Sequence, residues 1–254
     1  TLRRMLNCLA LCGISTFFSA VLLAAEEKSY VFDQVNVIDV ATGHVLEDQR
    51  LVIRGDLIHG LGPAEQVSVP EPSVQVNSQG WFVMPGLYEM HAHIPTGSAS
   101  EQRKQNVMRL YLANGITTVR GMLGEPWQLD LRSEIATGRR IGPRLITSGP
   151  SFNGRTVSSP KQAQQRVKNQ VKAGYDFLKL HPGLGPLEYD ALVQEANKQQ
   201  IPFAGHVSVD VGLKRTLAAQ QDTIDHLDGY AQALLADDSP CLLYTSDAAD
   251  EVVR

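Results

Sequence analysis

The sequence predicts an α/β fold: a parallel (β/α)8 TIM-type barrel, incomplete at about six strand–helix units, behind a small N-terminal β-sandwich lobe. Three observations predict it. From residue 81 to residue 240, short β-branched runs alternate with helical stretches at about 25 residues per unit. Histidines and one lysine recur at the ends of those runs. Before residue 81 there are only short strand-like runs separated by turns.

The bulk numbers suit such a fold. With 254 residues, 43% apolar and 20% charged, the chain can bury one large core or two smaller ones. A net charge of −4 and the lack of a basic stripe argue against a nucleic-acid partner.

Four segments follow in order. Residues 1–25 have the shape of a secretory signal: Arg3 and Arg4, an apolar run over 6–23, then Ala24-Ala25. The expected location is therefore periplasmic or secreted, with a retained N-terminal membrane anchor as the alternative. Membrane contact is expected through this stretch only. Cys8 and Cys12 fall inside it, so the body of the protein carries no disulfide framework. Residues 26–80 form the β lobe and residues 81–240 the barrel. Residues 241–254 break the pattern and read like a translated sequencing adapter, an artefactual tail. A complete barrel takes about 250 residues. Residues 81–240 supply 160, so two further units are expected beyond Pro240.

In the lobe, Val31, Val35, Val37 and Ile38 mark a strand, and residues 41–44 a turn. Residues 50–54 form a strand that Gly55-Asp56 turns into the next, around Leu57 and Ile58. Val74 and Val76 mark one more. In the barrel, strands are expected at 85–93, 116–120, 144–147, 177–180, 202–207 and 223–227. Helices are expected at 101–114, 126–137, 160–173, 187–200 and 213–221, with Pro160 at a helix start. The loop over 148–159 is rich in Gly, Ser and Asn.

The strand ends carry the chemistry. His91 and His93 are two apart, so in a strand they share a face. Neutral imidazole suits zinc and its neighbours, and the C-terminal ends of barrel strands are where such sites sit. Lys179, His206 and His226 follow, 27 and 20 residues apart, about one unit per step. Singly, each has a bland reading: a loop or core histidine, a lysine snorkelling at a strand end. Together, five such residues at successive strand ends make that reading improbable.

The pieces Pro-Gly-Leu-Tyr-Glu-Met-His-Ala-His at 85–93, Phe-Leu-Lys-Leu-His around Lys179, Gly-His-Val-Ser around His206 and Ile-Asp-His-Leu-Asp-Gly around His226 carry a resemblance. The chain resembles the amidohydrolase superfamily, in its imidazolonepropionase-like and prolidase-like branch. That resemblance implies two divalent metal ions, with zinc the first candidate. His91 and His93 would hold the buried ion. Lys179, carboxylated, would bridge the pair. His206 and His226 would hold the outer one. A metal-activated hydroxide would then cleave an amide or peptide C–N bond of a small-molecule or dipeptide-like substrate. The alternatives are an Xaa-Pro-type dipeptidase, a cyclic amidase or deaminase, and an inactive truncated fragment. The superfamily's strand-eight aspartate has no counterpart to assign, so no catalytic residue is named. Asp225 and Asp228 flank His226 on the sixth strand and are not promoted to that role. Arg120, His181 and Tyr230 lie just past strand ends and are candidate substrate contacts, with a plain loop role at least as good for each. His44 and His59 read as structural or exposed. The sequence names no oligomeric state.

Overall fold

The computed structural model describes residues 27–234, which fall into two compact units divided between Pro85 and Gly86. The signal-like stretch and the tail after residue 240 lie outside the described residues.

The first unit is one mixed sheet of five strands: β1 (Ser29–Ile38), β2 (Val45–Arg54), β3 (Leu57–Gly62), β4 (Ser73–Val76) and β5 (Phe82–Val83). The order is β3-β2-β1-β4, with β5 also on β1. β2 runs antiparallel to β1 and β3, while β4 and β5 run parallel to β1. Asp39 makes the first turn, its carboxylate accepting from the Ala41 amide and the Thr42 hydroxyl. Val31, Val35, Leu51 and Val52 are the buried face. Arg50 grips Asp33 with two parallel bonds, Nε to Oδ1 at 2.5 Å and a terminal nitrogen to Oδ2 at 3.0 Å. A sandwich needs a second sheet, and none is present among the described residues of this unit.

The second unit alternates strand and helix throughout. The order is β6 (Leu87–Ala92), α1 (Glu101–Ala113), β7 (Ile116–Gly121), α2 (Trp127–Ala136), β8 (Arg144–Thr147), α3 (Pro160–Ala173), β9 (Leu178–Leu180), α4 (Pro186–Gln199), β10 (Phe203–Gly205), α5 (Gly212–Ala218), β11 (Thr223–Ile224) and α6 (Tyr230–Leu234). Two three-stranded parallel sheets result, β6-β7-β8 and β9-β10-β11. Parallel bridges from Ser148 to Phe177 and from Phe152 to Leu180 link β8 to β9, so six parallel strands lie in sequence order. Ser100 and Ser159 cap α1 and α3, each hydroxyl accepting the amide three residues on. Pro160 occupies the first turn of α3 as expected.

Outward residues of the strands pack under the helices. Ala92, Val119 and Leu145 meet Met108 and Leu131 of α1 and α2. Leu178, Leu180 and Phe203 meet Val167, Tyr189 and Leu192 of α3 and α4. The opposite strand faces carry Lys179 and Arg120. Strands β6, β9, β10 and β11 are shorter than the sequence suggests, and the backbone departs most at β11. It ends at Ile224, and Asp225–Leu227 form a 3-10 turn with His226 and Leu227 at φ of 53° and 61°. No helix among the described residues is long and apolar enough to cross a membrane.

Candidate metal centre

Four strands deliver the site. β6 ends at Ala92, with His91 inside the strand and His93 just beyond it. The Glu89 carboxylate accepts from the His91 amide at 2.8 Å and fixes the strand end. The two rings stack with centroids 5.2 Å apart, and their Nε2 atoms are 3.2 Å apart. Two nitrogens on one tetrahedral zinc, at bonds of 2.0–2.1 Å, lie about 3.3 Å apart. The spacing of this pair therefore fits a shared ion.

Lys179 sits at the middle of β9 with no exposed surface. Its neighbours Leu178 and Leu180 turn into the helix-side core, which leaves the lysine on the inner face. Its Nζ donates to Oδ2 of Asp225, itself 5% exposed. An ammonium has no lone pair to give a cation. The bridging role implied by the resemblance therefore requires the carbamate form.

His206 follows Gly205 directly and is 2% exposed. Its Nδ1 meets Oδ2 of Asp228 at 2.8 Å, and the Val207 amide donates to the same oxygen at 3.4 Å. A carboxylate on Nδ1 fixes the ring's orientation and leaves Nε2 as the outward nitrogen. Burial pushes the Asp228 carboxyl up; the His206 hydrogen bond and charge outweigh it, and the group lies below its ordinary range.

His226 reaches the cluster from the 3-10 turn. Its ring centroid is 4.8 Å from that of His91 and 5.3 Å from that of His206. Among the described residues, His91, Asp225 and His226 bring one ligand atom each within 4.8 Å of one another. His91 Nδ1 lies 3.7 Å from the Asp225 carboxylate. Burial holds the His91 imidazole below its ordinary range, against the pull of Asp225. A neutral imidazole is the ligand form, so burial and donor chemistry agree. The donor set of imidazoles and one buried carboxylate fits a divalent cation such as zinc.

All five sequence-predicted ligands thus converge, and Asp225 joins them. In an extended strand, Asp225 and His226 would point to opposite faces. The left-handed backbone at His226 removes that conflict and turns both toward His91. The alternation Thr223, Asp225 against Ile224 was the available signal for an inward Asp225.

The three candidate substrate contacts separate. Arg120 donates from Nε to the Met90 carbonyl at 2.8 Å and from a terminal nitrogen to the Thr223 hydroxyl at 3.2 Å. His181 stacks on His206, with centroids 5.0 Å apart and planes at 27°. Tyr230 opens α6 and is 37% exposed.

The comparisons fit this geometry. The family model described as amidohydrolase family matches residues 82–250. No curated protein sequence matches the chain. A solved structure provisionally described as a prolidase from Bifidobacterium longum is 24% identical at a TM-score of 0.66, over 78% of this chain and 54% of that one. A prolidase complexed with N-methylphosphonate-L-proline is 20% identical at 0.64, over 76% of this chain and 59% of that one. The bottromycin amidohydrolase is 24% identical at 0.66, over 87% of this chain and 46% of that one. The chain spans about half the length of these solved structures. The family match covers well over half of the chain, and on it the assignment rests: this protein belongs to the amidohydrolase family.

Proposed function

We propose that this chain carries most of the metal centre of a hydrolase that cleaves an amide or peptide C–N bond in a small substrate. The observation that carries the reading is the convergence of His91, His93, Lys179, His206, Asp225 and His226 from four strand ends. The six strands are, on this reading, six of eight in a barrel, and none of the described residues is assigned the part of the strand-eight aspartate.

Two divalent ions, zinc the first candidate, would supply an activated water and polarise the scissile carbonyl. His91 and His93 would hold one ion, and His206 and His226 the other. Lys179 would join them as a carbamate: its ammonium would first give up a proton, and the neutral amine would then form a C–N bond to carbon dioxide and lose a second. Asp228 keeps His206 oriented throughout. Asp225 holds Lys179 until the carbamate forms and then faces His91 and His226. An Xaa-Pro-type dipeptide is the favoured substrate, because the solved structures of similar fold include a prolidase with a proline phosphonate and a Xaa-Pro dipeptidase with bound methionine. The basic-then-apolar N-terminus supports an exported enzyme.

Metal analysis tests the centre. Purified chain dialysed against zinc is expected to retain it, and His91→Ala to lose it. A chain that holds no zinc, manganese or cobalt above background sinks the reading. Hydrolysis is then assayed with Xaa-Pro dipeptides and N-acyl amino acids on protein that includes all eight strands. Asp228→Ala is expected to weaken zinc binding about tenfold or more while the fold stays intact. Nitrogen NMR of the His206 ring checks the cause: the fixed Nδ1–H tautomer should be lost in that variant.

A further inference from the structure

We propose that Arg120 is a positioning residue whose guanidinium braces β11 against β6 and so sets the spacing between His91 and the Asp225–His226 pair. The geometry of the brace stands by itself; its consequence for metal binding rests on the metal-centre reading above.

The site is divided between two sheets. His91 and His93 come from β6, while Lys179, His206, Asp225 and His226 come from β9, β10, β11 and the turn after it. The parallel bridges between β8 and β9 join the sheets on one flank. On the other flank, β6 and β11 share no ladder among the described residues. Backbone pairing there leaves the distance between His91 and Asp225 unset.

Arg120 crosses that gap. It starts on β7 and takes hold of both sides: Met90 on β6 by its carbonyl, Thr223 on β11 by its hydroxyl. Met90 immediately precedes His91, and Thr223 lies two residues before Asp225, which opens the turn after β11. Its guanidinium carbon also lies 5.7 Å from the centre of the Phe177 ring, which packs with Met122 and Ala204 from both sheets. The fork is thus held at three points, two of them beside metal-site residues. Lysine cannot copy it, because a single ammonium lacks the planar pair of directed donors.

The test uses the full chain without metal first. Amide hydrogen exchange is compared for wild type, Arg120→Met and Thr223→Val. The valine variant removes one acceptor with little change of shape and is the safeguard should the methionine variant fold poorly. The expected result is faster exchange, by about tenfold or more, at residues 90–93 and 223–226. Exchange in β9 should stay the same. Arg120→Lys should behave like Arg120→Met, since charge alone does not restore the fork. Unchanged exchange at both segments in Thr223→Val and Arg120→Met overturns the brace.

Zinc affinity, read by competition with a coloured chelator, reports the consequence. Arg120→Met is expected to bind about 10–100-fold more weakly. Adding Thr223→Val should cost little more, because both act through one link. A residue that merely stabilises the barrel would lower the melting temperature and leave the affinity of the folded protein at the wild-type value. A wild-type chain that takes up no zinc defeats the metal reading instead, and the exchange result still decides the brace.

Discussion

Lys179→Met is expected to destabilise the protein by about 3–5 kcal/mol, a large share of a typical total of about 5–15. The size follows from burial. Lys179 has no exposed surface and Asp225 has 5%, and the two charges meet directly. Removing the lysine leaves a carboxylate in a poorly solvated interior, with the half-buried His91 imidazole at 3.7 Å and a His226 ring nitrogen within 4.8 Å. Breaking a buried pair in this way costs far more than the pair contributes, because the surviving charge keeps its desolvation cost. The counter-experiment is Lys179→Met with Asp225→Leu. That combination removes both charges and should recover most of the lost stability. It should not recover zinc, because two residues that the proposed centre uses, Lys179 and Asp225, are both gone. Urea midpoints for wild type, the single and the double variant decide the point. A single variant within about 1 kcal/mol of wild type would mean that the pair is not buried as described. A double variant that bound zinc at wild-type affinity would remove Lys179 and Asp225 from the centre altogether.

The balance between what sequence and structure each reveal has a physical basis. Strands β6 to β11 are legible because their β-branched runs recur at a nearly constant spacing, and that spacing places His91, Lys179 and His206 at one end of the sheet. Those three lie in a strand or one residue past it, where a period of two fixes the face. Legibility falls off beyond the strand ends. The sequence places Asp225 on the sixth strand and so offers it no strand-eight role, and a strand running to Leu227 would send Asp225 and His226 to opposite faces. The chain instead leaves the strand at Ile224 and turns through left-handed φ at two non-glycine residues. Local propensity does not favour that backbone, so the surroundings must impose it. Asp228 lies 22 residues from His206 and Thr223 lies 103 from Arg120. No periodicity encodes such pairs. The lobe fails differently: its strands were recognisable from alternation and turns, but alternation alone does not say whether a second sheet covers the buried face.

Gly205→Ala is the second substitution with a large expected effect, and it tests how closely β9 and β10 approach beneath the site. Gly205 has φ of 138°, a region that L side chains avoid. A Cβ at that position would lie 2.1 Å from the Leu180 carbonyl oxygen and 2.8 Å from the Leu180 nitrogen. These are backbone atoms of the neighbouring strand, so no side-chain rotation relieves the overlap. Strain at such a φ costs about 1–3 kcal/mol, and forcing atoms into packed space about 1–3 more. Gly138→Ala is the control. It has φ of 70° with nothing within 4 Å of the added carbon, and should cost only the backbone term, about 1–2 kcal/mol. The consequence for the site follows from connectivity: Gly205 pairs with Leu180, and their neighbours in the chain are His206 and Lys179. Any separation of the strands that accommodates the methyl group therefore moves His206 away from Lys179. Gly205→Ala should lose zinc affinity in the fraction that folds, whereas Gly138→Ala should lose only stability. Equal urea midpoints for the two variants, with equal zinc affinity, would show that β9 and β10 have slack at Gly205 and that the site does not depend on this contact.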